Sequence, residues 1–234
     1  NPSFDPQSSD DYQTLGFMVE GRVTESDYKK LRDDLGEKAD ALSEMWRLKQ
    51  LQYTWLRSLM GQHCDFWQIT GDALDYSMRA LNMENNLLRA KLMELYLQLD
   101  AYPEVIDVLI ELKDNGKKTA ILSNGAPSML IAAAKSANIY SLIDNILSVE
   151  SVGVFKPHPT TYQLAVEQLK VAANRISFQS SNGWDAHAAA ASGLIVVWVN
   201  RFDQTSEILP ENPHAEIKRL SDLPTKNSLK KNMN

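Results

Sequence analysis

Short apolar runs alternate with helical segments across residues 103–200, and this alternation constrains the fold more than any other feature of the sequence. Four runs have the length and the flanking turn residues of buried strands, at residues 119–123, 145–149, 176–180 and 194–200. Helical patterns accompany them at residues 104–114, 127–138, 160–171 and 184–192. Strands that alternate with helices in this way predict an α/β fold with a parallel sheet that helices cover on both faces.

The stretch before this region differs, because residues 27–99 are almost wholly helical in pattern. In ALSEMWRLKQLQYTWLRSLM, apolar residues recur at spacings of three and four, at Leu48, Leu51, Trp55 and Leu59. A further short strand is expected at residues 12–19. We therefore predict a core formed by residues 11–24 and 101–225, a helical cap formed by residues 25–100 and inserted into that core, and a disordered tail at residues 226–234.

Charge and cysteine content argue against several classes of function. The 234 residues carry a net charge of −6 and show no basic stripe, which argues against nucleic acid or an anionic membrane as a partner. No apolar run reaches the ~20 residues of a membrane-spanning helix, and the N-terminus shows no signal peptide. Cys64 is the single cysteine, so no disulfide forms within the chain, and we expect a reducing, cytoplasmic location.

Polar side chains follow three of the predicted strands. Ser123 and Asn124 stand where one strand passes into a helix, Lys156 lies in the loop after the next, and SSNGWD follows a third at residues 180–185. Taken singly, such residues are typical of turns, solvated loops and helix starts. Because the carboxyl ends of parallel strands share one edge of a sheet, the three together predict a site for an anion or a developing negative charge.

This order of motifs, a strand with SNG, then Lys-Pro, then SSNxWD, resembles the haloacid dehalogenase superfamily. More narrowly, MWRLKQLQYTWLRSLM and DFWQIT resemble the cap segment of the L-2-haloacid dehalogenases, and the likeness extends over residues 36–220. The resemblance implies a Rossmann-like core with a helical cap inserted after the first strand. It also implies that an aspartate displaces the halide and that water then cleaves the aspartyl ester, with no metal or other cofactor.

The resemblance assigns roles to the matching positions. It implies that Lys156 pairs with the nucleophile and keeps it ionised, because an opposite charge nearby favours the anion. Ser180, Asn182 and Asp185 are implied to position the lysine and the hydrolytic water. The residues implied to bind the substrate are Arg47, Ser123, Asn124, Leu51, Phe66, Tyr162 and Trp184.

Two positions compete for the nucleophile, which in the family ends an apolar strand and precedes x-Tyr-Gly-Thr-Leu. Asp10 opens Asp-Asp-Tyr-Gln-Thr-Leu, which keeps these residue types except that Gln13 replaces the glycine. The preceding NPSFDPQSS, however, is a poor buried strand. TLGFMVEGRV is a better strand, but it puts Met18 at the nucleophile position, and a thioether cannot do this chemistry. Residue identity favours Asp10, and strand pattern favours position 18.

We expect the chain to hydrolyse short L-2-haloacids to D-2-hydroxy acids. The alternative is a homologue that lacks its nucleophile and binds a small carboxylate or halide without turnover. A phosphatase is disfavoured, because SSNGWD offers one acid where that metal-dependent chemistry uses an acidic pair. Relatives form dimers, and the cap has more apolar residues than one helix face buries, so we expect a homodimer through the cap surface that includes Trp46, Tyr53, Trp55 and Leu56.

Overall fold

A six-stranded parallel sheet lies at the centre of the protein. The computed structural model describes residues 14–17, 22–23 and 35–223. The sheet contains β1 (Thr14–Phe17), β4 (Lys118–Ser123), β5 (Asn145–Ser148), β6 (Ile176–Ser180), β7 (Ile195–Val199) and β8 (Ala215–Ile217), while β2 (Arg22–Val23) and β3 (Leu99–Asp100) form a separate antiparallel pair. The strand order in the sheet is β5-β4-β1-β6-β7-β8, and neighbouring strands pair in parallel. The predicted α/β class is confirmed.

Helices surround this sheet and extend beyond it. Three lie in the segment that the sequence predicts to be helical, namely α1 (Ala39–Met60), α2 (Phe66–Ala80) and α3 (Asn86–Leu95). Four alternate with the strands, namely α4 (Val105–Asp114), α5 (Pro127–Ser136), α6 (Pro159–Leu169) and α7 (Gly183–Ala191). Local sequence sets several of their starts: Asp65 and Asn85 cap α2 and α3 through their side chains, and α5 and α6 begin with proline.

Strand β1 occupies the middle of the sheet, between β4 and β6. Its register places Phe17 opposite Ile121 of β4 and Gln179 of β6. Because the three strands run in the same direction, their carboxyl ends reach the same edge. The loops that follow these strands are therefore held close together, and this edge positions the candidate site.

Buried side chains on the two sides of the sheet form two separate clusters. Leu122, Phe178 and Trp198 belong to one cluster, and their strand neighbours Ile121 and Val197 belong to the other. Successive strand residues point to opposite faces, so a strand that is covered on both faces needs apolar residues without interruption. This requirement explains the run that the sequence shows at residues 194–200.

The helix α1 buries a different stripe from the one that its leucine spacing suggests. Its buried residues are Ala39, Leu42, Trp46, Gln50 and Thr54, and Leu42 and Trp46 pack with residues of α2 and α3. Leu48 and Leu59 are instead exposed, at 58% and 85%. The predicted helix is correct, but the packing of α2 and α3 against it decides which of its two apolar stripes is covered.

Several predicted features differ from the structure or lie outside it. Strand β8 and the β2–β3 pair were not predicted, since strands of two or three residues are too short to show a period. Residues 24–34 and the predicted tail at residues 226–234 lie outside the described residues. The boundaries between core and cap stay a prediction. None of the helices described in residues 35–223 is long and apolar enough to cross a bilayer.

The helical cluster around α2 provides a test of this packing. Leu74 of α2 is fully buried, and Leu87 of α3 is 68% exposed. Leu74→Ala leaves a cavity and should lower the free energy of unfolding by about 2–5 kcal/mol. Leu87→Ala is the matched control and should change it by less than about 0.5 kcal/mol. Urea unfolding followed by circular dichroism measures both values, and equal effects would contradict the described packing.

Candidate active site

Lys156 and the SNG turn after β4 meet at the carboxyl edge of the sheet. The backbone N–H of Lys156 donates to Asn124 Oδ1 at 3.0 Å, and its Nζ donates to the carbonyl oxygen of Leu122, also at 3.0 Å. Ser123 shapes the same turn, because its hydroxyl accepts from the N–H of Gly125. The structure therefore brings together two groups of residues that lie 32 positions apart in the sequence.

The ammonium group of Lys156 is buried and paired with a carboxylate. The side chain is 1% exposed, and Nζ lies 3.1 Å from Asp185 Oδ2 and 4.7 Å from the centre of the Phe178 ring. Burial lowers the pKa of Lys156 because it disfavours the charged form, and the attraction of Asp185 opposes that change. The result is a cation whose place is fixed by the sheet edge.

Asp185 has both of its carboxylate oxygens occupied by protein donors. Its Oδ1 accepts from the Tyr162 hydroxyl at 2.6 Å, and its Oδ2 accepts from Ser180 Oγ at 3.0 Å as well as from Lys156. Burial and the charge of Asp185 raise the pKa of Tyr162 well above its usual value, so this phenol stays a donor. Asp185 is thus arranged to hold the lysine. Within residues 35–223, no three His, Cys, Asp or Glu side chains converge as metal ligands would.

A second cation reaches this region from the helical segment. Arg47 of α1 donates from Nη2 to Asn182 Oδ1 at 3.1 Å and from Nη1 to Gln50 Oε1 at 3.2 Å. Asn182 is the N-cap residue of α7, which follows the strand β6. The guanidinium group therefore bridges from α1 to the sheet edge where Lys156 lies.

One cavity connects these groups. Its wall includes most of the residues that the sequence analysis assigns to the site, namely Arg47, Leu51, Phe66, Ser123, Asn124, Lys156, Asn182 and Trp184. Ser180, Asp185 and Tyr162 are each 1% exposed or less and lie behind the lysine. Tyr162 was predicted to bind substrate, but the structure gives its hydroxyl to Asp185.

Aromatic contacts fix the apolar part of this wall. Trp184 packs edge-on against Trp55 of α1, with ring centres 5.8 Å apart. Phe66 of α2 packs against Phe155, the residue before the buried lysine, with ring centres 6.2 Å apart. Such pairs restrict the rings more than simple burial does. They therefore fix Phe66 and Trp184 in the apolar part of the cavity wall.

The two candidate nucleophile positions, Asp10 and Met18, lie outside the described residues. Strand β1 ends at Phe17, whose register partners are Ile121 and Gln179. The next residues along β4 and β6 are Leu122 and Ser180. The ammonium group of Lys156 donates to the carbonyl of Leu122, and both Lys156 and Ser180 donate to the carboxylate of Asp185. The buried ammonium group thus lies one register step beyond Phe17.

Two polar residues near the site were missed from the sequence. Gln50 and Thr70 are both fully buried, and Gln50 Nε2 donates to Thr70 Oγ1 at 2.8 Å. The signal for Gln50 is present, because it lies three residues after Arg47 and four after Trp46. A glutamine on the buried stripe of a helix needs a hydrogen-bonding partner. The predicted stripe of α1 was the one through Leu48 and Leu59, which does not include Gln50.

Comparisons with known proteins identify the family of the chain. Residues 14–193 match the family model described as haloacid dehalogenase-like hydrolase. The chain is 42% identical over 192 residues to (S)-2-haloacid dehalogenase 4A of Burkholderia cepacia. The match covers 82% of this chain and 83% of that protein. It is 38% identical to (S)-2-haloacid dehalogenase 1 of Pseudomonas sp. (strain CBS-3), over 82% and 85% of the two chains.

A solved structure gives a similar result. The L-2-haloacid dehalogenase from Xanthobacter autotrophicus with chloropropionic acid covalently bound superimposes with a TM-score of 0.84. The two chains are 32% identical, and the match covers 95% of this chain and 100% of that one. The likeness therefore includes both the parallel sheet and the helices at residues 39–95.

Substitution of Asp185 tests the buried ion pair. Asp185→Asn leaves the ammonium of Lys156 buried without its counter-ion, and it should cost about 3–5 kcal/mol of the free energy of unfolding at pH 7. Asp72→Asn, which removes a half-exposed partner of Arg57, is the control and should cost less than about 1 kcal/mol. Chemical denaturation of the three proteins measures both values.

The same variant should show a defined pH dependence. Asp185 raises the pKa of Lys156, so without it that pKa falls further below the unfolded value of 10.5. Between the two values the unfolded chain binds more protons, so stability rises with pH. Asp185 also raises the pKa of Tyr162 above the unfolded value of 10.0, so in wild type the folded protein loses stability as the pH rises past 10.0. The Asp185→Asn variant loses less stability there, because its Tyr162 pKa is raised less. The deficit of Asp185→Asn against wild type should therefore shrink from pH 7 to pH 10, and a deficit that grows would contradict the ion pair.

Proposed function

We propose that this chain, which belongs to the haloacid dehalogenase-like hydrolases and within them to the (S)-2-haloacid dehalogenases, hydrolyses short L-2-haloacids to D-2-hydroxy acids. A substrate of this kind is 2-chloropropionate. The observation that carries the proposal is the buried ammonium of Lys156, paired with Asp185 at the carboxyl edge of the sheet and facing one cavity together with Arg47. Two cations at one apolar cavity suit a small organic anion.

Substrate binding uses the groups on the cavity wall. Arg47 binds the substrate carboxylate or the departing halide from the side of α1, since a guanidinium group suits planar anions. Ser123 and Asn124 contribute hydrogen bonds from the turn after β4. Leu51, Phe66 and Trp184 surround the alkyl group and the halogen. The apolar wall strengthens these electrostatic contacts, because it keeps water away from them.

The reaction takes place in two steps. A carboxylate of the protein attacks C2 of the substrate, a new C–O bond forms, and the halide leaves with the electrons of the carbon–halogen bond, so the configuration at C2 inverts. Water then attacks the carbonyl of the aspartyl ester, which releases the 2-hydroxy acid and restores the carboxylate. Lys156 keeps the nucleophile ionised. Ser180, Asn182 and Asp185 position the lysine and the water, and the reaction uses no metal or other cofactor.

Residue identity makes Asp10 the nucleophile in this proposal, although Asp10 precedes β1 (Thr14–Phe17) in the sequence and Lys156 lies beyond the other end of that strand. Asp10 is the acid that the sequence offers at the family's spacing from Tyr12, Thr14 and Leu15. A neighbouring ammonium lowers the pKa of a carboxyl group and so keeps it ready to attack at neutral pH.

A second candidate function, binding of a small carboxylate or halide without turnover, is favoured by the end of β1. The strand ends at Phe17, one register step before Lys156, and the next residue in the sequence is Met18. A family nucleophile stands at the end of this strand, and a thioether there cannot form the ester. In this case Arg47, Ser123, Asn124 and Lys156 bind the anion without attacking it.

Halide release separates the two functions. Wild-type protein should release chloride from L-2-chloropropionate and not from the D enantiomer, and chiral chromatography should find D-lactate. Asp10→Asn should lower the rate by more than about 10³-fold, because it removes the nucleophile. Asp11→Asn is the matched control and should leave the rate unchanged. Chelation by EDTA should also leave it unchanged, and release that needs Mg²⁺ would contradict the metal-free mechanism.

Binding without turnover would give a different set of results. If wild-type protein binds propionate but releases no chloride, while Met18→Asp gains L-specific release, then position 18 is the nucleophile site and the natural chain is a binding protein. Release by wild type that Asp10→Asn does not affect would refute the role of Asp10.

We also propose a cytoplasmic homodimer. The location is supported by the single cysteine, which fits a reducing compartment. The dimer is supported by exposed apolar residues on the outer face of α1, namely Leu48, Leu56, Leu59 and Met60. Of the residues expected to form this surface, Trp46 is buried and packs against Tyr96, and Leu56 is exposed.

Light scattering on a sizing column tests the dimer. Wild-type protein should elute with twice the 26.3 kDa mass of the chain. Leu59→Glu places a charge in the apolar contact and should give monomers, because a buried unpaired charge is costly. Leu87→Glu, on α3, is the control and should remain dimeric. A monomeric wild type, or a dimeric Leu59→Glu protein, would contradict the proposed surface.

A further inference from the structure

The side chain of Gln50 is an amide buried beside the site. It lies on α1, one helical turn after Arg47, and it has no exposed surface. Around it, Trp46 and Leu42 pack into the apolar cluster of the helical segment. A buried amide in such surroundings is unfavourable unless its polar atoms are hydrogen-bonded. The partners of Gln50 therefore indicate what it does.

Its neighbours dictate which way the amide points. Thr70 Oγ donates its proton to the carbonyl of Phe66 at 2.7 Å, so toward Gln50 it acts as an acceptor, 2.8 Å from Nε2. A guanidinium group only donates, so the amide oxygen must face Arg47, and Nη1 lies 3.2 Å from Oε1. The carbonyl of Thr70 is held in turn by the indole N–H of Trp46 at 2.8 Å.

An aromatic contact lies beside this arrangement. The ring of Tyr96, which follows α3, packs against Trp46 with ring centres 5.1 Å apart. The amide is thus held by two bonds, from Nε2 to Thr70 of α2 and from Arg47 to Oε1. A flip of the amide would break both bonds, because it would turn a donor toward Arg47 and an acceptor toward Thr70 Oγ1, which accepts here.

The hydrogen bond from Arg47 to Gln50 restricts the guanidinium group of Arg47. The side chain is exposed overall, and a free arginine of this kind samples many rotamers. Gln50 holds one end of the guanidinium group from the side of α1, and Asn182 holds the other end from the sheet edge. An anion that binds there meets a guanidinium group that is already in place, so less ordering is needed on binding.

We propose that Gln50 is a positioning residue that holds the guanidinium group of Arg47 over the cavity, so that carboxylate binding depends on a buried amide that does not touch the substrate. The inference rests on the proposed function in one respect, the assignment of Arg47 as a carboxylate ligand. It does not depend on which residue is the nucleophile.

Two substitutions of Gln50 separate the loss of the hydrogen-bond acceptor from the effect of an added negative charge. Gln50→Met keeps the volume and removes the acceptor, so Arg47 loses its anchor. Gln50→Glu keeps an acceptor facing Arg47 but adds a negative charge that competes with the ligand. Gln52→Met is the matched control, because Gln52 lies on the same helix and bonds to Lys49 instead. Arg47→Met gives the full loss of the cation.

The probe is propionate, which carries the carboxylate and no leaving group, and propionamide is its neutral counterpart. Quenching of tryptophan fluorescence measures both affinities, since Trp184 lines the cavity. Gln50→Met should weaken propionate binding about tenfold, as expected for one hydrogen bond to a charged group. Gln50→Glu should weaken it further, and Gln52→Met should not change it. None of the Gln50 variants should change propionamide binding more than twofold.

The neutral probe distinguishes positioning from a general packing defect. Equal losses for propionate and propionamide would overturn the proposal, because a damaged cavity affects both. Unchanged propionate binding in Gln50→Met, or in Arg47→Met, would also overturn it. If Gln50→Met fails to fold by circular dichroism, Gln50→Asn decides the matter, because it shortens the side chain away from Arg47 without adding a charge and should still weaken propionate binding more than propionamide binding. Chloride release is measured separately, so a protein that binds but does not turn over refutes the proposed function and leaves this inference standing.

Discussion

The ion pair between Lys156 and Asp185 is the interaction on which the rest of the site depends. The two side chains are 1% and 0% exposed, and removing two charges from water costs several kcal/mol for each ion. The pair is stable because its other polar atoms are also satisfied. The Leu122 carbonyl accepts from the ammonium group, while Tyr162 and Ser180 donate to the carboxylate. The buried cation is thereby held by the backbone of β4 and by Asp185 of α7, which in turn is held by side chains of α6 and β6.

The position of this cation explains why the helical segment matters. The chain as a whole carries a net charge of −6, so its overall field repels anions. The cavity reverses that sign locally, since Lys156 approaches it from the sheet and Arg47 approaches it from α1. The contact of Arg47 with Asn182 joins the two sides. A reaction on a small carboxylate therefore requires α1 to keep its position relative to the sheet edge.

The sequence predicted those parts of the fold in which local pattern and tertiary packing agree. Strand β6 was predicted at its observed residues, because turn residues bound it on both sides, at residues 173–175 and 181–183. All five of its residues are buried, although three of them are polar. The stripe that α1 buries was not predicted, since the helix has two apolar stripes and only α2 and α3 decide between them. The burial of Gln50 was not predicted for the same reason, because it lies on the stripe that α2 and α3 cover. The identity of the nucleophile was not predicted either, because residue type favours Asp10 and strand pattern favours position 18.

Direct observation of the Lys156 ammonium group tests this account most directly. Nitrogen-15 labelling of lysine and a pH titration by nuclear magnetic resonance would follow its Nζ, with Lys156→Arg used to assign the signal. The account predicts a slowly exchanging, charged ammonium at pH 7 that loses its proton below the ordinary lysine pKa of 10.5, because burial disfavours the charged form. A neutral amine at pH 7, or an ammonium that titrates at or above the ordinary value, would contradict the buried ion pair.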